Sequence, residues 1–148
     1  MGETDEGNPG LTAALEFLSS IDPSGPELVQ TMMAANPEIS RDLVRGLYGE
    51  LYQRCGISLR ERLMVTIGVL AAAGLVPQLN YQFRFALLAG VSYDDLNEVL
   101  RQVAFFTGQA NAINAGILLG RIRGELESEK RDRQHDNCVI KSGESGGI

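Results

Sequence analysis

The chain has 148 residues, 44% of them apolar and 22% charged, and a formal net charge of −6. That length supports one domain with a core and is short for two; no apolar run reaches the roughly 18–20 residues of a membrane span, and an acidic chain without a basic cluster is a poor partner for nucleic acid. The only His is His135 and the only Lys are Lys130 and Lys141, so residues 1–129 cannot supply a histidine base, a Ser-His pair, a lysine Schiff base or a multi-His or multi-Cys zinc site.

Residues 1–10 are rich in Gly, Glu, Asp and Asn and are expected to be flexible. Leu11, Ala14, Leu15 and Leu18 then recur at helical spacing until Asp22-Pro23 and Ser24-Gly25-Pro26 break the pattern. Pro26 suits the first turn of a second helix through Ala35, with Leu28, Met32 and Met33 as an apolar stripe that packs on the third helix. A third helix is predicted over 37–53, where Ile39, Leu43, Leu47 and Leu51 recur every four residues beside a row of Val44, Tyr48 and Tyr52.

Ser58, three residues before Glu61, has the pattern of a capping box and opens a helix through Ala73, with Gly74 as its stop. The stretch 63–73 is nearly all apolar or small, so burial on more than one face is expected, as at the centre of a fold. Pro77 opens a helix through Leu88. Ser92 caps the next, with Asp94 and Asp95 where the helix dipole favours negative charge and Leu96, Val99, Leu100, Val103 and Phe106 as core face. A last helix from Gln109 carries Ala112, Ala115, Leu118, Leu119 and Ile122. No strand-like alternation is sustained. The expectation is an all-α, compact helical bundle: a flexible N-terminus at 1–10, a single helical domain at 11–130 and a disordered polar tail at 131–148.

Charge is uneven along this frame. Residues 1–57 carry nine acids against three Arg, residues 58–124 four acids against six Arg, and residues 125–148 six acids against four bases. The middle segment alone is net positive, so an anionic substrate would meet arginines there. The acidic N-terminus lacks the basic lead and apolar stretch of a secretory signal. Cys55 and Cys138, the second in a polar tail, do not suggest a disulfide framework. The cytoplasm is the expected compartment.

Several short motifs fall in order over residues 36–120: 47–54 (LYGELYQR) followed by Gly56-Ile57, Ser58-Leu59-Arg60-Glu61-Arg62 with Val65-Thr66, Ala89-Gly90-Val91-Ser92 leading to Asp95-Leu96 and Glu98-Val99-Leu100, then Gly108 and Asn114-Ala115. In this the chain resembles the carboxymuconolactone decarboxylase family and its alkylhydroperoxidase-D-like relatives. The resemblance implies a compact all-helical subunit, assembled as a homotrimer or hexamer, with pockets near subunit contacts. It also implies positions for a CxxC pair, a His four residues later and a Glu on the preceding helix. Here those positions hold Leu75, Gln78, Gln82 and Leu63. Thiol-disulfide exchange cannot run through Leu and Gln, so an antioxidant relay is excluded.

Gln82, at the implied His position, can donate and accept hydrogen bonds but does not move a proton at neutral pH. It is the first catalytic candidate, as a substrate-orienting amide; the plainer alternative is a surface or interface amide. Arg62, which matches an Arg of the family pattern, would bind a carboxylate or enolate oxygen, unless it pairs with Glu50 or Glu98. Tyr81 completes the catalytic set as a hydrogen-bond donor. Arg84, Gln78, Leu63, Thr66 and Phe106 are the substrate-binding candidates, although Thr66 could simply bond back to a carbonyl and aromatic residues at helical spacing are usually core. No metal motif, phosphate loop or triad is present, and no cofactor is expected. The function expected is that of a lyase, isomerase or cyclase acting on a small cyclic, lactone or polyketide-type molecule in an apolar pocket, without a His or Cys relay. The alternative is a non-catalytic oligomeric binding or scaffold protein that retains the fold alone.

Overall fold

A computed structural model describes the backbone of residues 9–143 and the side chains of residues 9–136. The flexible N-terminus expected at 1–10 therefore lies, apart from Pro9 and Gly10, outside the described residues, as do residues 144–148 and the side chain of Cys138. The helices run in the order α1 (Pro9–Ile21), α2 (Gly25–Ala35), α3 (Pro37–Val44), α4 (Leu59–Ala72), α5 (Val76–Leu88), α6 (Tyr93–Thr107) and α7 (Gln109–Gly143), with no strand among the described residues. The protein is all-α. The chain divides into two compact units, one ending at Leu63 and taking in Leu88–Gly90, the other made of Met64–Leu87 and the chain from Val91 onward.

In the first unit, α1 buries Leu11, Ala14 and Leu18, as its spacing predicts. The corner to α2 is tight. Asp22 is buried and accepts bonds from the amide and hydroxyl of Ser24 at 3.0 and 2.8 Å, and a Cβ on Gly25 would stand 2.5 Å from Leu18 Cγ. α2 meets α3 through Ser40, whose hydroxyl donates to the Met32 carbonyl at 2.8 Å.

The third helix differs from its expectation in two ways. After Val44 it widens into a π-helical segment, Arg45–Glu50, and closes with a single 3-10 turn, Leu51–Gln53. Gly49 sits where α1 comes closest: a Cβ there would lie 2.9 Å from the Gly10 carbonyl oxygen and 3.3 Å from Ala14 Cβ. Moreover, of the two apolar rows it is Val44, Tyr48 and Tyr52 that are buried, the two tyrosine rings meeting edge to face at 5.6 Å. Ile39, Leu43 and Leu51 are exposed. A row with a four-residue step drifts around an α-helix, and the wider i→i+5 turns offset that drift, keeping one row inward.

In the second unit, α4 buries Ile67 and Ala71 and exposes Val65 and Val69. The fully buried positions Leu63, Ile67 and Ala71 step by four, Met64, Leu70 and Ala72 beside them are half-buried, and Val65 and Val69 mark the exposed side. The stop at Gly74 is a Schellman motif, with φ +69° at Gly74, its amide donating to Ala71 and the Leu75 amide to Leu70. The Val91 amide closes α5 on the Ala86 carbonyl in the same way, past Gly90 at φ +93°. Asn111 of α7 donates to the Ala72 carbonyl at 3.0 Å, satisfying one of the acceptors that a helix end leaves free.

Ser92 caps α6 by accepting from the Asp95 amide at 3.0 Å. Its core face is Leu96, Leu100 and Val103. Phe106, expected on that face, is instead 86% exposed, beside Phe105 at 90%. Phe105 and Phe106 lie in the last turns of α6, just before the chain turns at Gly108, φ +107°.

On α7, Ala112, Ala115, Leu118, Leu119 and Ile122 are all buried, joined by Leu126. The helix then continues through Gly143, past residue 130, where loss of apolar residues suggested an end. Pairs at i, i+4 lace this polar length: Arg121–Glu125, Arg123–Glu127 and Glu129–Arg133. No helix among the described residues is long and apolar enough to cross a membrane.

Candidate functional site

The start of α4 is held by a reciprocal capping box. The Glu61 carboxylate accepts from the Ser58 amide at 2.6 Å and hydroxyl at 2.7 Å, while the Glu61 amide donates to Ser58 Oγ at 3.2 Å. Those bonds, with a smaller contribution from the nearby Arg60 charge, hold the Glu61 carboxyl below its ordinary range. Arg62 follows in the same turn. It pairs with neither Glu50 nor Glu98: one terminal nitrogen donates to the Arg54 carbonyl at 3.3 Å, and its Nε is buried without a hydrogen-bond partner. A buried donor left unpaired costs about 1–3 kcal/mol. Leu63, next in sequence, is fully buried as an apolar core residue.

α5 carries most of the other candidates, and one helix sorts them sharply. Gln82 is buried at 6% exposure, in a turn with Leu79, Phe83, Phe85 and Ala86, all buried. Gln78, one turn earlier, is exposed, and Tyr81 is 43% exposed. Arg84 already holds a carboxylate: its two terminal nitrogens reach Glu129 of α7 at 2.7 and 3.1 Å, a bidentate pair. Thr66 on α4 is half-buried, and it and Gln82 each have an interaction partner.

A second feature of this unit lies elsewhere. An open groove of about 590 Å³ runs between α6 and α7, lined by Leu100, Ala104, Ala112, Ile113 and Gly116 and by the polar Asp94, Asn97, Glu98, Arg101 and Gln109. Glu98 and Arg101 pair at 2.8 Å. Arg123 lies over the Tyr93 ring, 4.5 Å from its centroid, and bonds Glu127 at 2.8 Å; the Glu127 contact is the chief cause that raises the Arg123 pKa.

With this geometry in view, the kinship is direct: residues 37–119 match the model of the carboxymuconolactone decarboxylase family. The chain belongs to that family. A stretch of 74 residues is 32% identical to an uncharacterised 15.0 kDa protein of the nqo9-nqo10 intergenic region of Paracoccus denitrificans, covering 49% of this chain and 55% of that protein. Another, of 73 residues, is 30% identical to a 4-carboxymuconolactone decarboxylase of Acinetobacter baylyi, covering 49% of this chain and 54% of that protein. The chain thus spans about half the length of the curated relatives it matches.

Within this family frame, the candidate residues differ in exposure. None of them contributes to the α6–α7 groove. Gln82 is the one polar candidate fully inside, Arg84 is occupied by Glu129, Leu63 is a core residue, and Phe106 projects outward. The groove itself went unread in the sequence. Its signal was Ala112 and Gly116 at a four-residue step on α7, with Ala104 on α6: small residues at a helix contact leave room between the helices rather than filling it.

Proposed function

We propose that the chain is a carboxymuconolactone-decarboxylase-like enzyme that acts as a lyase, isomerase or cyclase on a small cyclic, lactone or polyketide-type substrate without a His or Cys relay. Family membership supports the general chemistry, and the observation that carries the particular mechanism is the burial of a neutral amide, Gln82, on α5. A buried amide orients a carbonyl or carboxylate by hydrogen bonds but takes no proton. The reaction must then be one in which the substrate supplies its own electron sink. In loss of carbon dioxide from a β-keto acid or a vinylogous lactone, the C–C bond electrons pass into the conjugated carbonyl, and the resulting enolate takes its proton from water. The protein contributes orientation and fixed dipoles. Arg62, with its unpartnered Nε, is the residue whose hydrogen bonding a bound anion would complete. The same proposal takes a small molecule as partner, no cofactor, a homotrimer or hexamer as assembly and the cytoplasm as compartment.

Release of carbon dioxide from a panel of β-keto acids and carboxylated lactones tests this. Turnover is expected on at least one, with Gln82→Ala and Arg62→Ala each lowering kcat/KM by about tenfold or more, the loss of one oriented hydrogen bond or more. Turnover of carboxymuconolactone itself would overturn the altered substrate range, and unchanged turnover in both variants would overturn the residue assignment.

The occupied state of Arg84 and the apolar burial of Leu63 favour a second possibility, a non-catalytic oligomeric scaffold. It predicts no turnover across the panel.

A further inference from the structure

The ion pairs Glu98–Arg101, Arg121–Glu125 and Arg123–Glu127 each lie within one helix, and their side chains are more than half exposed. The Arg84–Glu129 pair differs in both respects. It joins α5 to α7, it is bidentate at 2.7 and 3.1 Å, and the Arg84 side chain keeps only 23% of its exposure. A planar guanidinium fork engaged through two nitrogens is the geometry that suits a carboxylate.

Glu129 is also set apart on its own helix. Leu126 is the last buried residue of α7 among those described, and of residues 127–136 all but Glu129 are exposed. Its carboxylate stands between two cations: Arg84 across the seam, and Arg133 one turn onward at 3.9 Å. Arg133 is already turned back toward this residue, its Nε donating to the Glu129 carbonyl at 3.2 Å. A Glu followed by a cation at i+4 is the favourable order on a helix. The Glu129 side chain therefore has two seats, and leaving Arg84 does not leave it unpaired.

The fork that Glu129 would vacate is not a bare charge. Positions three before and three after Arg84 share its face of α5; they hold Tyr81, 43% exposed, and Leu87, half-buried. An aromatic and an aliphatic surface thus flank the guanidinium. Gln82, two positions back, lies on another side of the helix, so this place is separate from the one on which the catalytic reading rests.

We infer that Arg84 is a binding site for a small organic monocarboxylate with an apolar body, kept closed by Glu129, and that the occupant moves Glu129 onto Arg133. The pair is a two-state element: the ligand binds only the state in which the fork is free, and favours that state by its differential affinity. The polar length of α7 beyond Leu126 is tied to α5 through this pair, so a bound carboxylate also loosens that length, and the coupling is reciprocal. None of this depends on the catalytic proposal, because it is read from binding and hydrogen exchange and not from turnover.

Isothermal titration calorimetry of the full chain with sodium benzoate, against sodium chloride at equal concentration, tests it together with hydrogen exchange over residues 130–136. Glu129→Gln removes the internal competitor and should tighten benzoate binding by about three- to fivefold, the range that a partly exposed ion pair can hold back. Arg84→Met should abolish that binding. Arg133→Met removes the second seat of Glu129 and should weaken benzoate binding by about twofold. In the wild type, benzoate should speed exchange over 130–136 by about three- to fivefold, to the level that Glu129→Gln shows without it, and chloride should not. Benzoate binding that Glu129→Gln leaves unchanged, or that persists at wild-type affinity in Arg84→Met, overturns the proposal. So does exchange over 130–136 that benzoate leaves unaltered, which would make the pair a structural tie alone.

Discussion

Two regions of the second unit stand in contrast. On α5 every polar candidate but Gln78 and Tyr81 is drawn inward or tied down: Gln82 is buried among apolar neighbours, and Arg84 is clasped by Glu129. Along α6 and α7 the opposite holds, with small residues leaving a groove and two phenyl rings standing in water beside it. The first region is largely interior, and the second leaves apolar side chains exposed. At the positions where the resemblance implies reactive groups, Leu63 and Gln82 are buried while Leu75 and Gln78 are exposed.

The contrast can be broken most forcefully on α7, where inward and outward apolar residues are neighbours. Leu119→Ala, at a fully buried position, should cost about 2–5 kcal/mol by urea denaturation. Ile117→Ala, at 69% exposure, should change monomer stability by no more than about 0.5 kcal/mol. Equal losses would mean that the outward face is packed after all. Gln82→Ala should cost about 1–3 kcal/mol, because a buried hydrogen-bonding group is removed and its partner left behind; a neutral result would move Gln82 from interior to surface. Arg84→Met should cost at most about 1 kcal/mol and less in high salt, since the Arg84 and Glu129 side chains keep 23% and 42% of their exposure.

The smallest effect belongs to the cap of α4, a reference outside both regions. Glu61 titrates lower in the folded chain than its ordinary value of 4.5 because Ser58 bonds the carboxylate form. A depressed folded pKa adds stability above the unfolded value, and that addition is lost as pH falls through the folded pKa. Urea midpoints of the wild type and Glu61→Gln should therefore differ at neutral pH and converge in acid below the usual carboxylate range.

Helix limits were legible wherever a local signal fixes them. Ser58 and Glu61, Gly74, Gly90 and Ser92 each mark an end that the structure places within a residue or two, because caps and positive-φ glycines act within one turn. Which apolar row turns inward was not legible. Val44, Tyr48 and Tyr52 were set beside Ile39, Leu43 and Leu51 with equal periodicity, and the choice was made by Gly49 admitting α1 and by the π segment. Phe106 fits the core spacing for the same reason, as periodicity alone cannot show which side chains near a helix end are covered. On the candidate site, the loss of Cys, His and Glu was readable residue by residue, but the Arg84–Glu129 pair spans 45 positions in sequence and has no local signature.

The claim that matters most is that the chemistry proceeds without a titrating relay. The dependence of kcat/KM on pH measures it, using a substrate of the panel that has no group titrating near neutrality. An amide at Gln82, with the sole His exposed at position 135, predicts a flat profile between about pH 6 and 8, the window in which a histidine relay would show itself. A bend inside that window would contradict it.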